Sequence, residues 1–122
     1  MDRIRFLGYK GERILTVDYS NLKADEALYL MDEVKLLFQK EPPGSVLCLI
    51  NVAKMRVNTA LLSRFNAFMA AEGNTYMKAG AIVGLQGIQK IAYGVVMKFS
   101  NVVMPLFDHS DQALDWLVNK HF

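Results

Sequence analysis

The segment from Ser45 to Val52 constrains this chain most. It is short, almost wholly apolar, and directly preceded by the breakers Pro42-Pro43-Gly44. A run of that length, apolar on both sides of a pleat, reads as a strand buried on both faces. Such a strand needs helices to cover it and parallel neighbours to pair with. The flanking sequence supplies both.

Before the breakers, Asn21 to Lys40 has helical period. Ala27, Leu30, Met31, Val34, Leu37 and Phe38 form one stripe, with Asp25, Asp32 and Glu33 on the outer side. Asn21 or Lys23-Ala24-Asp25 starts this helix, and Asp25 and Glu26 suit its positive end. Further upstream, Arg3 to Leu7 and Arg13 to Tyr19 read as two strands joined by a turn at Gly8-Tyr9-Lys10-Gly11, a hairpin.

After the apolar run, Asn58 and Thr59 are N-cap candidates for a helix carrying Leu61, Leu62, Phe65, Phe68 and Met69 on one face. Gly73-Asn74 is expected to end it with a left-handed glycine. Tyr76 to Leu85 is another apolar strand, and Gln86-Gly87 leads into a helix from about Ile88 to Phe99. Val102 to Phe107 is a last strand, with Pro105 pointing to an edge. Asp108-His109-Ser110 is a turn with Ser110 as N-cap. The final helix turns Ala113, Leu114, Leu117 and Val118 to the core, with Trp116 to one side.

The predicted order is β-β-α-β-α-β-α-β-α. It implies an α/β fold with a mixed five-stranded sheet. Four strands are parallel, Val46 to Val52 is central, and the N-terminal hairpin supplies the antiparallel member. The 122 residues fit one domain, 1–122, large enough to bury about 65% of the unfolded surface.

Composition excludes several function classes. Fourteen Lys and Arg against twelve Asp and Glu give a net charge of +2, too weak for a nucleic-acid or polybasic membrane surface. One Cys rules out an internal disulfide, and with two His no metal cluster is expected. The N-terminus lacks the apolar run of a signal peptide, and no stretch of about 18 apolar residues marks a transmembrane helix. A cytoplasmic protein is the expectation, with Cys48 an inert buried thiol.

Several segments point to one family. They are Ile14-Leu15-Thr16-Val17-Asp18-Tyr19, the strand Val46 to Val52 with the Asn58-Thr59 turn after it, and Ala81-Ile82-Val83-Gly84-Leu85. The most specific is Phe107-Asp108 with Ala113-Leu114-Asp115-Trp116-Leu117. Over nearly its whole length the chain resembles the SpoIIAA-like branch of the STAS domains, named for sulfate transporters and anti-sigma-factor antagonists. The resemblance implies a βα superhelix with four helices mainly on one face of the sheet. It implies a regulatory or interaction role, through a protein partner or small ligand, rather than catalysis. A lipid-transfer fold is a neighbour in shape. The alternative is therefore a lipid- or membrane-associated domain that holds an apolar ligand between helices and sheet.

One departure matters. Regulatory STAS domains carry an Asp-Ser-Ser-like phosphoacceptor after the central strand. Here that turn reads Lys54-Met55-Arg56-Val57-Asn58-Thr59-Ala60, and the Asp-Ser pair is missing. Thr59, or Ser63 one turn on, is the candidate phosphoacceptor that remains. Phosphate on Thr59 would meet a positive helix end with Arg56 or Lys54 nearby; its plain reading is a cap.

No catalytic constellation is present. Asp108-His109-Ser110 are adjacent and cannot form a hydrogen-bonded triad, so a turn is the better reading. Gly84-Leu85-Gln86-Gly87 with Lys90 could hold an anion, but it lacks both phosphate-loop spacings and reads as a tight turn. Glu12, Asp18, Glu41 and Glu72 have no paired-carboxylate spacing. No cofactor is implied.

In open α/β sheets ligands bind outside the carboxyl ends of the strands. Those ends carry Asp18, Asn51, Lys54, Asn58, Thr59, Gln86 and Asp108, which form the expected binding rim. A second surface is expected on the helix over Ile88 to Phe99. Its inner face of Ile88, Ile91, Ala92, Val95 and Phe99 turns Tyr93 and Met97 outward beside Lys90. That patch suits a partner, a second copy in a homodimer, or a membrane surface. Its plain reading is two isolated exposed apolar residues.

Overall fold

A computed structural model describes residues 3–86 and 104–119. Strand β1 (Ile4–Tyr9) pairs antiparallel with β2 (Glu12–Asp18), Tyr9 facing Glu12. The expected four-residue turn is tighter than its glycines suggested. Only Lys10 (φ 49°) and Gly11 (φ 82°) lie between the strands, both left-handed. Two positive φ values in a two-residue loop match the right-handed twist of the flanking strands.

Strands β3 (Val46–Asn51), β4 (Met77–Val83) and β5 (Leu106–Phe107) extend the sheet in the order β1-β2-β3-β4-β5. From β2 onward every pairing is parallel, and β3 is central as its apolar run required. Helix α1 (Ala24–Phe38) links β2 to β3. Helix α2 (Thr59–Phe68) links β3 to β4 and continues through a π-helical turn, Met69–Gly73, into a last α-helical turn, Asn74–Tyr76. Helix α3 (Ser110–Val118) closes the described chain. The expected helix over Ile88 to Phe99, with Lys90, Tyr93 and Met97, lies outside the described residues.

Alternation along the strands sorts the core into two layers. Leu15, Val17, Cys48, Ile50 and Ile82 face one way, against Ala27, Met31, Val34 and Phe38 of α1 and Leu61 and Phe68 of α2. Ile14, Leu47, Leu49, Ala79, Ala81 and Val83 face the other way, against Ala113 and Leu117 of α3. Two of the three described helices thus share one face. Trp116 sits beside Phe107, ring centroids 6.2 Å apart.

Three local expectations are corrected. Asn21 does not begin α1: it is left-handed (φ 62°), and the helix starts three residues later. Gly73 is not a left-handed cap: it lies inside the π-helical turn with φ −59°. Its small size is what the site uses, since a Cβ there would stand 2.9 Å from the Met69 Sδ beneath it. The helical run instead ends at Tyr76, where the Asn74 and Thr75 side chains donate to the carbonyls of Ala70 and Ala71. Ser110 is not the cap of α3: His109 holds that position in extended backbone, without a capping side chain, and Ser110 is the first helical residue.

Candidate functional site

The carboxyl ends of β2 and β3 turn in the same way. Asp18 Oδ1 accepts the Ser20 N–H at 2.9 Å, and Asn51 Oδ1 accepts the Ala53 N–H at 3.0 Å. Three residues after each stands a left-handed residue, Asn21 (φ 62°) and Lys54 (φ 57°). Asp and Asn make such turns because their short side chains reach their own backbone two residues on. Neighbouring turns are laced together. Tyr19 N–H donates to Asn51 O at 2.8 Å, Asn21 N–H to Ala53 O at 2.9 Å, and Val52 N–H to Val83 O at 3.0 Å. The sheet's lateral bonding therefore continues past the strand ends.

Arg3 closes the outer side of this rim. Its Nη1 donates to the carbonyls of Asp18 and Ser20, each at 3.0 Å, and stands 3.8 Å from the Asp18 carboxylate. The loop from β3 to α2 is tied down by Arg56 N–H donating to Leu22 O at 2.9 Å. Asn58 Oδ1 then caps α2 by accepting the Leu61 N–H at 2.8 Å. Thr59 is the first helical residue and is exposed, so its hydroxyl is not the cap.

The rim residues expected from sequence thus divide by role. Asp18, Asn51 and Asn58 spend their acceptor atoms on turns and a cap. Lys54, Thr59, Gln86 and Asp108 are exposed, and Arg56 joins them. Lys54 lies in the β3–α2 loop and Thr59 opens the helix that follows it. Asp108 follows β5 at the far end of the sheet from β2. Arg3 carried no sequence signal, because nothing in the chain marks a contact 15 residues away. The Asp18 and Asn51 turns did carry one, an Asp or Asn closing a strand two residues before a small residue.

Behind the rim, burial holds two titratable groups neutral. The Cys48 thiol is pushed up to about 12 by desolvation, and Tyr19 is held far above its ordinary range by the same cause. Cys48 is a free, buried thiol. On the opposite side of the hairpin, Asp115 of α3 accepts from Tyr9 Oη at 2.6 Å and from Lys10 Nζ at 2.9 Å. Those hydrogen bonds lower the Asp115 carboxyl and raise both donors. A groove of about 220 Å³ lies between α1 and α2. It is spanned by an Arg64–Asp32 ion pair and flanked by Lys35 and Glu72, with Met31 and Phe68 at its floor.

Comparison by sequence finds no matching protein family and no matching curated protein. Comparison of folds finds an uncharacterised protein of the DUF3478 family from Shewanella loihica, described as having a SpoIIAA-like fold. The two superpose with a TM-score of 0.70 at 16% identity, over 93% of this chain and 91% of that one. The chain has a SpoIIAA-like, STAS-like fold.

Proposed function

We propose that this chain is a non-enzymatic STAS-like domain that acts by binding a protein partner through its β3–α2 loop. The observation that carries this reading is the build of that loop. Its backbone is fixed by Arg56 N–H to Leu22 O and by the Asn58 cap, yet Lys54, Arg56 and Thr59 are left exposed. A rigid backbone presenting adaptable charged side chains suits recognition at low ordering cost. The domain is read as single, cytoplasmic and free of cofactors. No helix among the described residues is long and apolar enough to cross a membrane.

The test is affinity capture from the protein's own host, comparing wild type with a Lys54→Glu, Arg56→Glu double variant. A partner captured by wild type and lost by the folded variant supports the reading. A partner captured equally by both sinks it. With the Asp-Ser pair absent, no efficient phosphorylation by a kinase of the anti-sigma type is expected. A stoichiometric phosphate on Thr59 or Ser63 in native protein would overturn that part.

A second reading, an apolar-ligand-binding domain, has one observation in its favour. Met77 and Met104 crowd Gly80, and Met31 and Met69 are buried in the same layer. Methionines are adaptable enough to yield space to a guest. Native mass spectrometry of host-purified protein decides between the two, since a retained acyl chain would favour the second.

A further inference from the structure

The outer face of α1 carries the two most exposed large apolar side chains among the described residues, Tyr29 (75% exposed) and Leu36 (63%). They stand seven residues apart, so they lie on one stripe of the helix, about 10 Å apart along its axis. The buried stripe of Ala27, Met31, Val34 and Phe38 already holds α1 on the sheet, so the fold does not use this face.

Charge along the same face is sorted by position. Asp25 and Glu26 lie at its start, Asp32 and Glu33 at its middle, and Lys40 at its end. Lys40 sits in the closing turn, its N–H donating to Leu37 O at 3.1 Å. Asp32 is paired with Arg64 of α2. Among the described residues, Asp25, Glu33 and Lys40 have no ion-pair partner.

We infer that this face is a self-complementary interface, and that its occupant is α1 of a second copy, antiparallel across a two-fold axis. An isologous contact requires each pair to recur with its members exchanged. An axis passing between residues 32 and 33 satisfies this for the whole stripe. It sets Tyr29 against Leu36 of the second copy and Asp25 against Lys40 of the second copy, each twice. The same axis brings Glu33 near Asp32 of the second copy, a like-charge contact. Arg64, half-exposed, already pairs with Asp32 within each copy and so offsets part of that repulsion. One axis thus pairs the exposed apolar residues with each other and both terminal charges with opposites. Two apolar contacts and exposed ion pairs place this interface at the small end of the size range, so the dimer is weak.

The inference does not rest on the partner reading of the β3–α2 loop, because α1's outer face and that loop are altered by different substitutions. Sedimentation equilibrium of the full chain up to about 300 μM is the experiment, with circular dichroism to check folding. Wild type should associate reversibly to a dimer. Leu36→Glu, exposed and therefore tolerated by the fold, should leave monomer only. Lys40→Asp should weaken association about tenfold, since each change counts twice in a symmetric dimer. Adding Asp25→Lys to Lys40→Asp should restore most of the loss, which no simple destabilisation would do. A wild type that stays monomeric overturns the proposal and leaves the face to another protein. A dimer indifferent to Leu36→Glu overturns it equally. So does a dimer lost in a Tyr93→Glu, Met97→Glu variant but not in the α1 variants.

Discussion

Gly84 carries the sharpest test of how the rim is built. Its φ is +89°, and a Cβ placed on it would stand 2.7 Å from the Ala53 nitrogen and 2.9 Å from the Ala53 Cα. That backbone cannot retreat freely. The Ala53 N–H is held by Asn51 Oδ1 at 3.0 Å, its carbonyl by the Asn21 N–H at 2.9 Å, and the adjacent Val52 N–H by Val83 O at 3.0 Å. Positive φ alone costs an L-residue about 1–2 kcal/mol. Giving up one or two of those hydrogen bonds adds about 1 kcal/mol each. Gly84→Ala should therefore destabilise the protein by about 3 kcal/mol. Gly44 is the control: its φ is +68°, but nothing lies within 4 Å of its Cβ position. Gly44→Ala should cost about 1 kcal/mol, the conformational part alone. Gly80 reverses the balance. Its φ is not positive, and its Cβ would meet the flexible ends of Met77 and Met104. Gly80→Ala should fall between the others, at about 1–2 kcal/mol, as the methionines swing aside. Urea unfolding of the four proteins, compared at a common slope, measures all three differences. If Gly84→Ala loses no more than Gly44→Ala, the close approach of the two rim turns is not what demands glycine, and the reasoning fails.

Three further outcomes are expected. Asn58→Ala should cost about 1 kcal/mol and Asn58→Asp almost nothing, because Asn58 caps α2; an equal loss in Thr59→Ala by urea unfolding would show the cap misassigned. The tether from Tyr9 and Lys10 to Asp115 should respond to pH at both ends. The Asp115 carboxyl is lowered, so its contribution is present above about pH 4 and is lost as pH falls through the lowered value. The two donors are raised, so theirs is present below about pH 10 and is lost as pH rises through the raised values. The midpoint difference between wild type and Asp115→Asn should be level from about pH 5 to 9 and shrink on either side; a difference independent of pH would refute the tether. Native Cys48 should resist a thiol reagent and react only as urea unfolds the chain, since the thiol is buried and pushed up to about 12; rapid labelling of folded protein would contradict its place in the core.

The sequence by itself determined the order of the described strands and helices. Apolar runs bounded by Pro42-Pro43-Gly44 and by turn residues could be satisfied only as buried strands, and the α1 stripe only as a helix lying on them. Parallel pairing of β2, β3 and β4, with β3 central, follows from that alternation, because the crossover helices α1 and α2 each return the chain to the same end of the sheet. The position of the strands' carboxyl ends was legible for the same reason. Their wiring was not. An Asp or Asn closing each strand announced the turns at Asp18 and Asn51, but how those turns interlock depends on lateral bonds between segments more than 30 residues apart. Arg3 reaching Asp18 and Ser20, and α3 reaching back to Tyr9 and Lys10, are likewise contacts that no local pattern encodes. Gly73 shows the division most plainly. The residue type announced an interruption in the helix, but only the folded backbone shows that the interruption is a π-helical turn, with the chain helical on to Tyr76, and not an end. Local patterns specify which faces must be buried; only three-dimensional packing settles which atoms lie close enough to compete for the same space.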